Sequence, residues 1–82
     1  MVPRYFFDTR DGDKFIRDDE GVVFDTIQEA RDEATAGLAD MAQEAIPGRV
    51  RREIAVEVRD VANVRLLRAS LWFEVQALAA LP

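Results

Sequence analysis

The sequence predicts an α+β domain, in which one long helix packs on one face of an antiparallel sheet. Three patterns support this class: an aromatic-rich hairpin before residue 25, an amphipathic stretch over residues 26–45, and two alternating segments after residue 50. The expected element order is strand, strand, helix, strand, strand. A chain of 82 residues has room for one core, so we expect a single domain over residues 1–82.

The first unit is a predicted β-hairpin. Residues 4–8 are rich in aromatic side chains, which favour strands. Asp11 and Gly12 form a turn signal, because glycine adopts positive φ without a steric penalty. Residues 14–17 then return as a second strand, and residues 22–24 form a short extended segment after an acidic turn.

The second unit is a predicted helix over residues 26–45. Asp25 is the expected N-cap, because its carboxylate can accept the backbone N–H groups exposed at a helix start, and Gln28 is the expected capping-box partner. Pro47 and Gly48 end the helix. Apolar residues recur at steps of three or four and form one stripe that faces the sheet. They are Ile27, Ala30, Ala34, Leu38, Met41 and Ala45.

The third unit is a second predicted hairpin, with its turn at residues 60–63. Ile54, Val56 and Val58 alternate with charged residues, as in a half-buried strand. Because the first and last strands are the most apolar, we expect both to lie in the centre of the sheet. The last strand shows the strongest alternation. One side carries Leu67, Ala69, Leu71, Phe73 and Val75, and the other carries Arg68, Ser70, Trp72, Glu74 and Gln76.

These segments together resemble a family of small uncharacterised bacterial proteins, a domain of unknown function. The resemblance covers nearly the whole chain and is most specific in the N-terminal block Pro3-Arg4-Tyr5-Phe6-Phe7-Asp8. Weaker matches follow at Asp11-Gly12, at residues 18–21, at residues 30–34 and at residues 56–60. The resemblance implies a complete small domain and carries over no catalytic residue and no cofactor.

Histidine and cysteine are both absent from the sequence. Nucleophile–imidazole pairs, thiolate chemistry and Cys/His zinc sites are therefore excluded. We expect a protein that is not an enzyme, with no catalytic, cofactor-binding or metal-binding residues. Because the chain lacks cysteine and has no apolar stretch long enough for a signal peptide or a membrane span, we expect it in the cytoplasm, away from membranes.

Negative charge is concentrated in the first half of the chain. The formal net charge is −5; residues 1–47 carry five basic and twelve acidic side chains, whereas residues 48–82 carry six basic and four acidic ones. An acidic chain is repelled by phosphate backbones, yet the arginine-rich C-terminal hairpin leaves open a nucleic-acid-binding accessory protein as the alternative function. Glu53, Glu57 and Glu74 lie among those arginines and favour cross-strand ion pairs instead.

An acidic cluster occupies the first two turns: Asp11, Asp13, Asp18, Asp19 and Glu20. Carboxylates gathered on loops can hold Ca²⁺ or Mg²⁺. The spacing fails the calcium-loop pattern, however, because Phe15 stands where a third ligand is needed and Val22 where the closing glutamate is needed. Turn formation is the favoured interpretation, since aspartate side chains bond their own nearby backbone.

The alternation of the last strand also predicts an interaction surface. If Leu71 and Phe73 face the helix, Trp72 must face away from it, and Phe6 likewise faces away from its neighbours in the first strand. Large aromatics on the face that the helix leaves uncovered are typical of an interface. The alternative is that Trp72 lies flat beneath an arginine stem and needs no partner.

We therefore predict a non-enzymatic interaction or regulatory module that forms a homodimer or another homo-oligomer through its sheet, either through the outer sheet face or by edge pairing of strands. The predicted interface residues are Phe6, Trp72, Arg59 and Arg68, with the aromatics as anchors and the arginines as a charged frame. Small domains bury a modest fraction of their surface alone, and association adds to it.

Overall fold

Residues 3–80, which a computed structural model describes, form five antiparallel strands and one helix. The elements are β1 (Arg4–Asp11), β2 (Lys14–Ile16), β3 (Val22–Val23), α1 (Ile27–Ala45), β4 (Arg51–Arg59) and β5 (Arg65–Glu74). The predicted α+β class and the packing of the helix on the sheet are confirmed. The one addition is β3, which the sequence indicated as a short extended segment after the second strand.

The sheet runs in the order β2, β1, β4, β5, and β3 pairs with the start of β1. The central place predicted for the first strand is confirmed. The central place predicted for the last strand is wrong, because β4 lies there and β5 is at the edge. Residues 54–59 of β4 are all buried, including Glu57 and Arg59. The charges in β4 suggested one solvated face, but ion pairs with neighbouring strands allow both faces of β4 to be covered.

The strand register determines which side chains share a face of the sheet. Val56 and Val58 pack on the core beneath α1, so the residues that alternate with them point the other way. Phe6 lies opposite Arg59, and Glu53 lies opposite Trp72. We call this second side the helix-free face. It carries Phe6, Asp8 and Arg10 of β1, Glu53, Ala55, Glu57 and Arg59 of β4, and Arg68, Ser70, Trp72 and Glu74 of β5.

Helix α1 begins one residue later than the sequence predicts. Thr26 is the N-cap, and its backbone is extended. Its hydroxyl oxygen accepts the Glu29 N–H at 3.2 Å, and the hydroxyl also donates to Glu29 Oε1 at 3.3 Å. Thr26 and Glu29 therefore form the cap through the threonine hydroxyl, and the prediction of Asp25 with Gln28 is wrong. Both pairs have the required spacing, and the strand-to-helix connection decides which residue takes the extended conformation.

The core lies between the alanine stripe of α1 and the middle of the sheet. Ala30 and Ala34 are completely buried, and their small side chains let the helix backbone approach β4 closely. Tyr5, Val56 and Val58 complete the buried cluster. Partly buried side chains pack around it: Phe7, Phe24, Ile27, Leu38, Met41, Leu67 and Ala69. The predicted helix stripe and the inward set of the last strand are thus confirmed where the two elements meet.

Two turns take the conformations that their sequences favour. Gly12 has φ of 62° between β1 and β2, and its N–H donates to the Glu53 carbonyl at 3.0 Å. Between β4 and β5, Asn63 adopts φ of 66°, and the Asp60 carboxylate accepts the N–H groups of Ala62 and Val64. Asparagine and glycine tolerate this left-handed conformation, so both predicted turns are confirmed.

The molecule is elongated, with extents of 60 × 21 × 17 Å. The helix lies over β4 and β5 and approaches β1 less closely, so much of the sheet remains uncovered. The largest completely buried side chains are Ile54 and Val58, while Leu78 beyond the last strand is 95% exposed. This small core leaves a large apolar area on the surface. In the part of the chain that the structure describes, no helix is both long enough and apolar enough to cross a membrane.

Candidate functional site

The four predicted interface residues all lie on the helix-free face, but the structure divides them. Phe6 and Arg59 are directly opposite each other on β1 and β4. Arg68 lies opposite Glu57, and Trp72 lies four residues further along β5, opposite Glu53. Phe6 and Arg59 therefore form one cluster near the middle of the sheet, whereas Trp72 stands apart at the open edge.

Arg59 forms the centre of a buried cluster with Asp8 and Phe6. Its Nε lies 3.0 Å from Asp8 Oδ2, and both side chains are at least nine-tenths buried. Its guanidinium stacks on the Phe6 ring, 4.5 Å from the ring centroid. An arginine buried this way must be paired, because desolvation of an isolated charge is costly. The cluster thus stabilises the sheet internally, and it leaves Phe6 half-buried under the arginine.

Asp18 connects the loop after β2 to β1. Its Oδ2 accepts the Phe7 N–H at 3.0 Å, and its Oδ1 accepts the N–H groups of Glu20 and Gly21. Its own N–H donates to Asp8 Oδ1 at 2.9 Å. This carboxylate is therefore committed to backbone donors, as the turn interpretation of the acidic cluster predicts. Across residues 3–80 no three carboxylates converge as a metal site.

The same contacts shift the acidity of Asp18. Burial by itself raises the pKa of this carboxyl, but the three backbone N–H donors and the nearby Arg59 charge act in the opposite direction. Their combined effect holds the pKa below the ordinary value of 3.8. Asp18 is therefore ionised at neutral pH, and its charge is used to order the loop.

Glu57 is a buried partner of several arginines, one of the three glutamates for which the sequence predicts cross-strand ion pairs. Its side chain is 7% exposed; Arg10 Nε lies 2.9 Å from Oε1, and Arg68 and Arg65 approach Oε2 at 3.8 and 4.0 Å. Arg68 also reaches Glu53 at 3.3 Å. The signal was present in the alternation, since Glu57 falls on the outward side between arginine-rich strands. The predicted cross-strand ion pairs are confirmed.

Two further ion pairs lie at the start of β4. The hydrogen bond from Arg52 lowers the pKa of Asp11, and the hydrogen bonds from Arg51 and Gln76 lower the pKa of Glu74. Arg51 Nη2 lies 3.0 Å from Glu74 Oε1. These contacts fix the register of β4 against both of its neighbours and engage two more arginines of the basic hairpin.

Trp72 is the largest exposed aromatic on the helix-free face. It is 61% exposed; on the same strand, Leu66 lies six residues away and Leu71 points to the helix-bearing face, and these two are 41% and 38% exposed. Trp72 does not lie beneath an arginine: the cation–π contacts among residues 3–80 are those of Arg10 with Phe15 and of Arg59 with Phe6. The sequence placed Trp72 on the correct face, and the structure adds that it lies on an edge strand.

A second uncovered apolar surface, which the sequence did not predict, lies beside α1 on the other face of the sheet. A groove of about 270 Å³ runs between the helix and β1. It is lined by Phe7, Val22, Gly37, Met41 and Val56, with the carboxylates of Asp18 and Glu33. It exists because α1 sits over β4 and β5 and leaves β1 partly open. The absence of a side chain at Gly37 also widens it.

Comparison with known proteins adds a family but no activity. A family model described as a domain of unknown function (DUF6894) matches residues 4–72, which run from the start of β1 into β5. No curated protein and no solved structure matches the chain. The expected likeness to a domain of unknown function is confirmed, and the bacterial origin inferred from the N-terminal block stays a prediction.

Proposed function

The chain belongs to the DUF6894 family of domains of unknown function, and from its own surface we propose that it is a non-enzymatic interaction or regulatory module. In this proposal the domain self-associates through its sheet, as a homodimer or another homo-oligomer. We place it in the bacterial cytoplasm, which agrees with a chain that lacks cysteine.

The exposed indole of Trp72 is the observation that carries the proposal. A tryptophan that is 61% exposed leaves apolar area in water that burial against a partner would remove. Tryptophan and arginine are the residues most enriched among those that dominate binding energy. Arg68 lies within the same strand and can frame the contact with charge.

Phe6 and Arg59 have a supporting role in this proposal. The Arg59 guanidinium stacked on the Phe6 ring and the buried ion pair of Arg59 with Asp8 hold β1 and β4 in a fixed relation. A rigid sheet loses little conformational entropy when a partner binds. Self-association through such a surface also adds burial to a domain whose own core is small.

The nucleic-acid alternative receives less support from the geometry. Its basis was the number of arginines in the C-terminal hairpin, and these side chains have carboxylate partners within the fold: Arg51, Arg52, Arg59, Arg65 and Arg68. A guanidinium that is already paired gains less from a phosphate than a free one. Salt-dependent binding to short RNA or DNA would revive this alternative.

Sedimentation equilibrium on the wild type and on Trp72→Ala tests the proposal. We expect the wild type to associate and the variant to associate at least about thirtyfold more weakly, because interface tryptophans contribute about 2 kcal/mol or more. Circular dichroism should show an unchanged fold. Ile16→Ala is the matched control, since Ile16 is 53% exposed but lies on β2, at the opposite edge.

A wild-type protein that stays monomeric at high concentration would contradict the proposal. So would a result in which Ile16→Ala, and not Trp72→Ala, abolishes association, because the β2 edge of the sheet would then be the interface.

A further inference from the structure

The outer edge of β5 is a long row of backbone groups that pair with no strand within residues 3–80. β5 has ten residues, and it contains neither proline nor lysine, the residues that commonly protect a sheet edge. The opposite edge differs, because β2 has three residues and begins with Lys14. The exposed edge available for pairing is therefore that of β5.

The hydrogen bonds of β4 identify the groups at this edge. The Val75 N–H donates to the Val50 carbonyl at 2.7 Å, so Val75 points its backbone groups towards β4. In an antiparallel pair these directions alternate along the strand. From Leu67 to Val75 the backbone groups of the even-numbered residues therefore point outwards, namely those of Arg68, Ser70, Trp72 and Glu74; the register of β5 against β4 shifts by one residue before Leu67.

We propose that β5 pairs antiparallel with β5 of a second copy, with Ser70 on the two-fold axis, so that two sheets join into one. The inference rests on the self-association proposed above and specifies where it occurs. We take β5 to pair with β5 of the second copy so that both helices lie on the same face of the joined sheet. In that arrangement one residue of β5 lies directly opposite the same residue of the second copy. Two registers overlap nearly the whole strand: one centred on Ser70 and one centred on Ala69.

Charge favours the register centred on Ser70. In that register Arg68 lies opposite Trp72 of the second copy, and Glu74 of the second copy is its diagonal neighbour. The Arg68 guanidinium pairs with Glu53 within its own chain, but the side chain is 44% exposed, so its outer side can cover the exposed indole and approach the Glu74 carboxylate of the second copy. In the register centred on Ala69, Arg68 is a diagonal neighbour of Arg68 of the second copy, and like charges in this relation repel.

Apolar matching on the helix-bearing face agrees with the same register. Leu67 would lie opposite Phe73 of the second copy, and Ala69 opposite Leu71. Leu71 is 38% exposed at the present edge, so pairing would cover a side chain that the single chain leaves in water. No two aromatic rings meet at the two-fold axis, because Ser70 lies there. Its small side chain lets the two strands approach closely.

Single cysteines test this geometry directly, because the natural chain contains none. Opposite residues of a hydrogen-bonded antiparallel pair have Cα atoms about 5.5 Å apart, within the range that a disulfide spans. We expect Ser70→Cys to form a covalent dimer under mild oxidation. Ala69→Cys, which points to the other face, and Ala36→Cys, on the exposed side of α1, should cross-link only at the collisional background.

Ser70→Pro provides a second test that depends on the backbone. Proline is tolerated where the N–H of an edge strand faces solvent, so circular dichroism should show that the single chain still folds. Paired strands would lose the two central hydrogen bonds, and sedimentation equilibrium should show at least a tenfold weaker dimer.

The outcomes separate this inference from the proposed function. A wild type that associates while Ser70→Cys stays at background would overturn the edge pairing and leave self-association standing. Preferential cross-linking of Ala69→Cys would overturn the Ser70 register. A folded Ser70→Pro that dimerises like the wild type would overturn the pairing as well, and a strictly monomeric wild type would overturn both proposals.

Discussion

The buried carboxylate of Asp8 and the half-buried one of Asp18 determine the local structure around the first strand. Asp8 pairs with Arg59 and also accepts the Asp18 N–H. The Asp18 carboxylate in turn accepts the backbone N–H groups of Phe7, Glu20 and Gly21. No buried side-chain nitrogen or oxygen lacks a partner within the described residues. Removing one member therefore leaves a desolvated donor or acceptor, which costs more than the net contribution of a hydrogen bond.

Asp18→Asn should change how stability depends on pH. The folded-state pKa of Asp18 lies below 3.8, so its stabilisation is present above about pH 4 and is lost as the pH falls through the folded-state pKa. We expect the variant to be less stable than the wild type at neutral pH and this difference to shrink below about pH 4.

Urea unfolding from about pH 2.5 to about pH 7 measures this difference. Asp13→Asn, in the exposed turn after Gly12, is the control. Its plot of unfolding free energy against pH should run parallel to that of the wild type. A constant difference between Asp18→Asn and the wild type at every pH would show that the charge of Asp18 has no part in the effect.

Gly21 is a position where a side chain has no room. Its φ is 72°, and a Cβ would lie 2.8 Å from the Tyr5 carbonyl oxygen, which is fixed backbone in β1. We expect Gly21→Ala to lower the free energy of unfolding by more than about 2 kcal/mol, from left-handed strain and the clash together. Gly12→Ala has the same left-handed strain, at φ of 62°, but its Cβ would meet no other atom. It should therefore lower the free energy of unfolding in urea by about 1 kcal/mol. Equal losses would contradict the clash.

At the scale of the elements, strand order depends on how charge is paired. β4 carries three arginines and two glutamates within its length yet lies in the centre, because its neighbours supply partners for these charges. β5 is more apolar but has a neighbour on one side alone. Hydrophobicity by itself therefore ranked the two strands wrongly.

Thr26→Ala should weaken α1 at its start. The substitution removes the hydroxyl that accepts the Glu29 N–H, and the loss of an N-cap costs about 1 kcal/mol. Asp25→Ala, one residue outside the cap, should change the free energy of unfolding by less than about 0.5 kcal/mol. Thermal or urea unfolding compares the two variants. A larger loss for Asp25→Ala would restore the aspartate as the cap.

For the whole molecule, shape and stability are connected. A domain that extends over 60 Å and is 17 Å thick places few side chains far from water. Its core depends on two helix alanines and a few β4 and β1 side chains. Extension of the sheet through a second copy would cover the exposed edge without changing the fold of either chain.

Unfolding should therefore depend on protein concentration. If the native state associates and the unfolded chain does not, each tenfold rise in concentration stabilises a dimer by about 1.4 kcal/mol. We expect the urea midpoint of the wild type to rise with concentration and that of Trp72→Ala to rise only at concentrations at least about thirtyfold higher. Equal midpoints for the wild type at all concentrations would mean that association contributes nothing to its stability.

The amino-acid pattern by itself determined the elements and their faces. Period-two alternation placed Trp72 and Phe6 away from the helix, steps of three and four residues placed Ala30 and Ala34 beneath it, and glycine or asparagine marked the turns. These features depend on neighbours close in sequence, whose geometry repeats along a strand or a helix.

The tertiary structure alone decided strand order, the identity of the N-cap and the division of the predicted site. Arg59 and Phe6 form an internal cluster because Asp8 on the neighbouring strand β1 bonds the Arg59 guanidinium, although Asp8 lies 51 residues before Arg59 in the chain. Trp72 stayed exposed because β5 lies at the edge. Such outcomes depend on contacts between residues far apart in sequence, and the free-energy differences among alternative strand orders are not encoded in local periodicity.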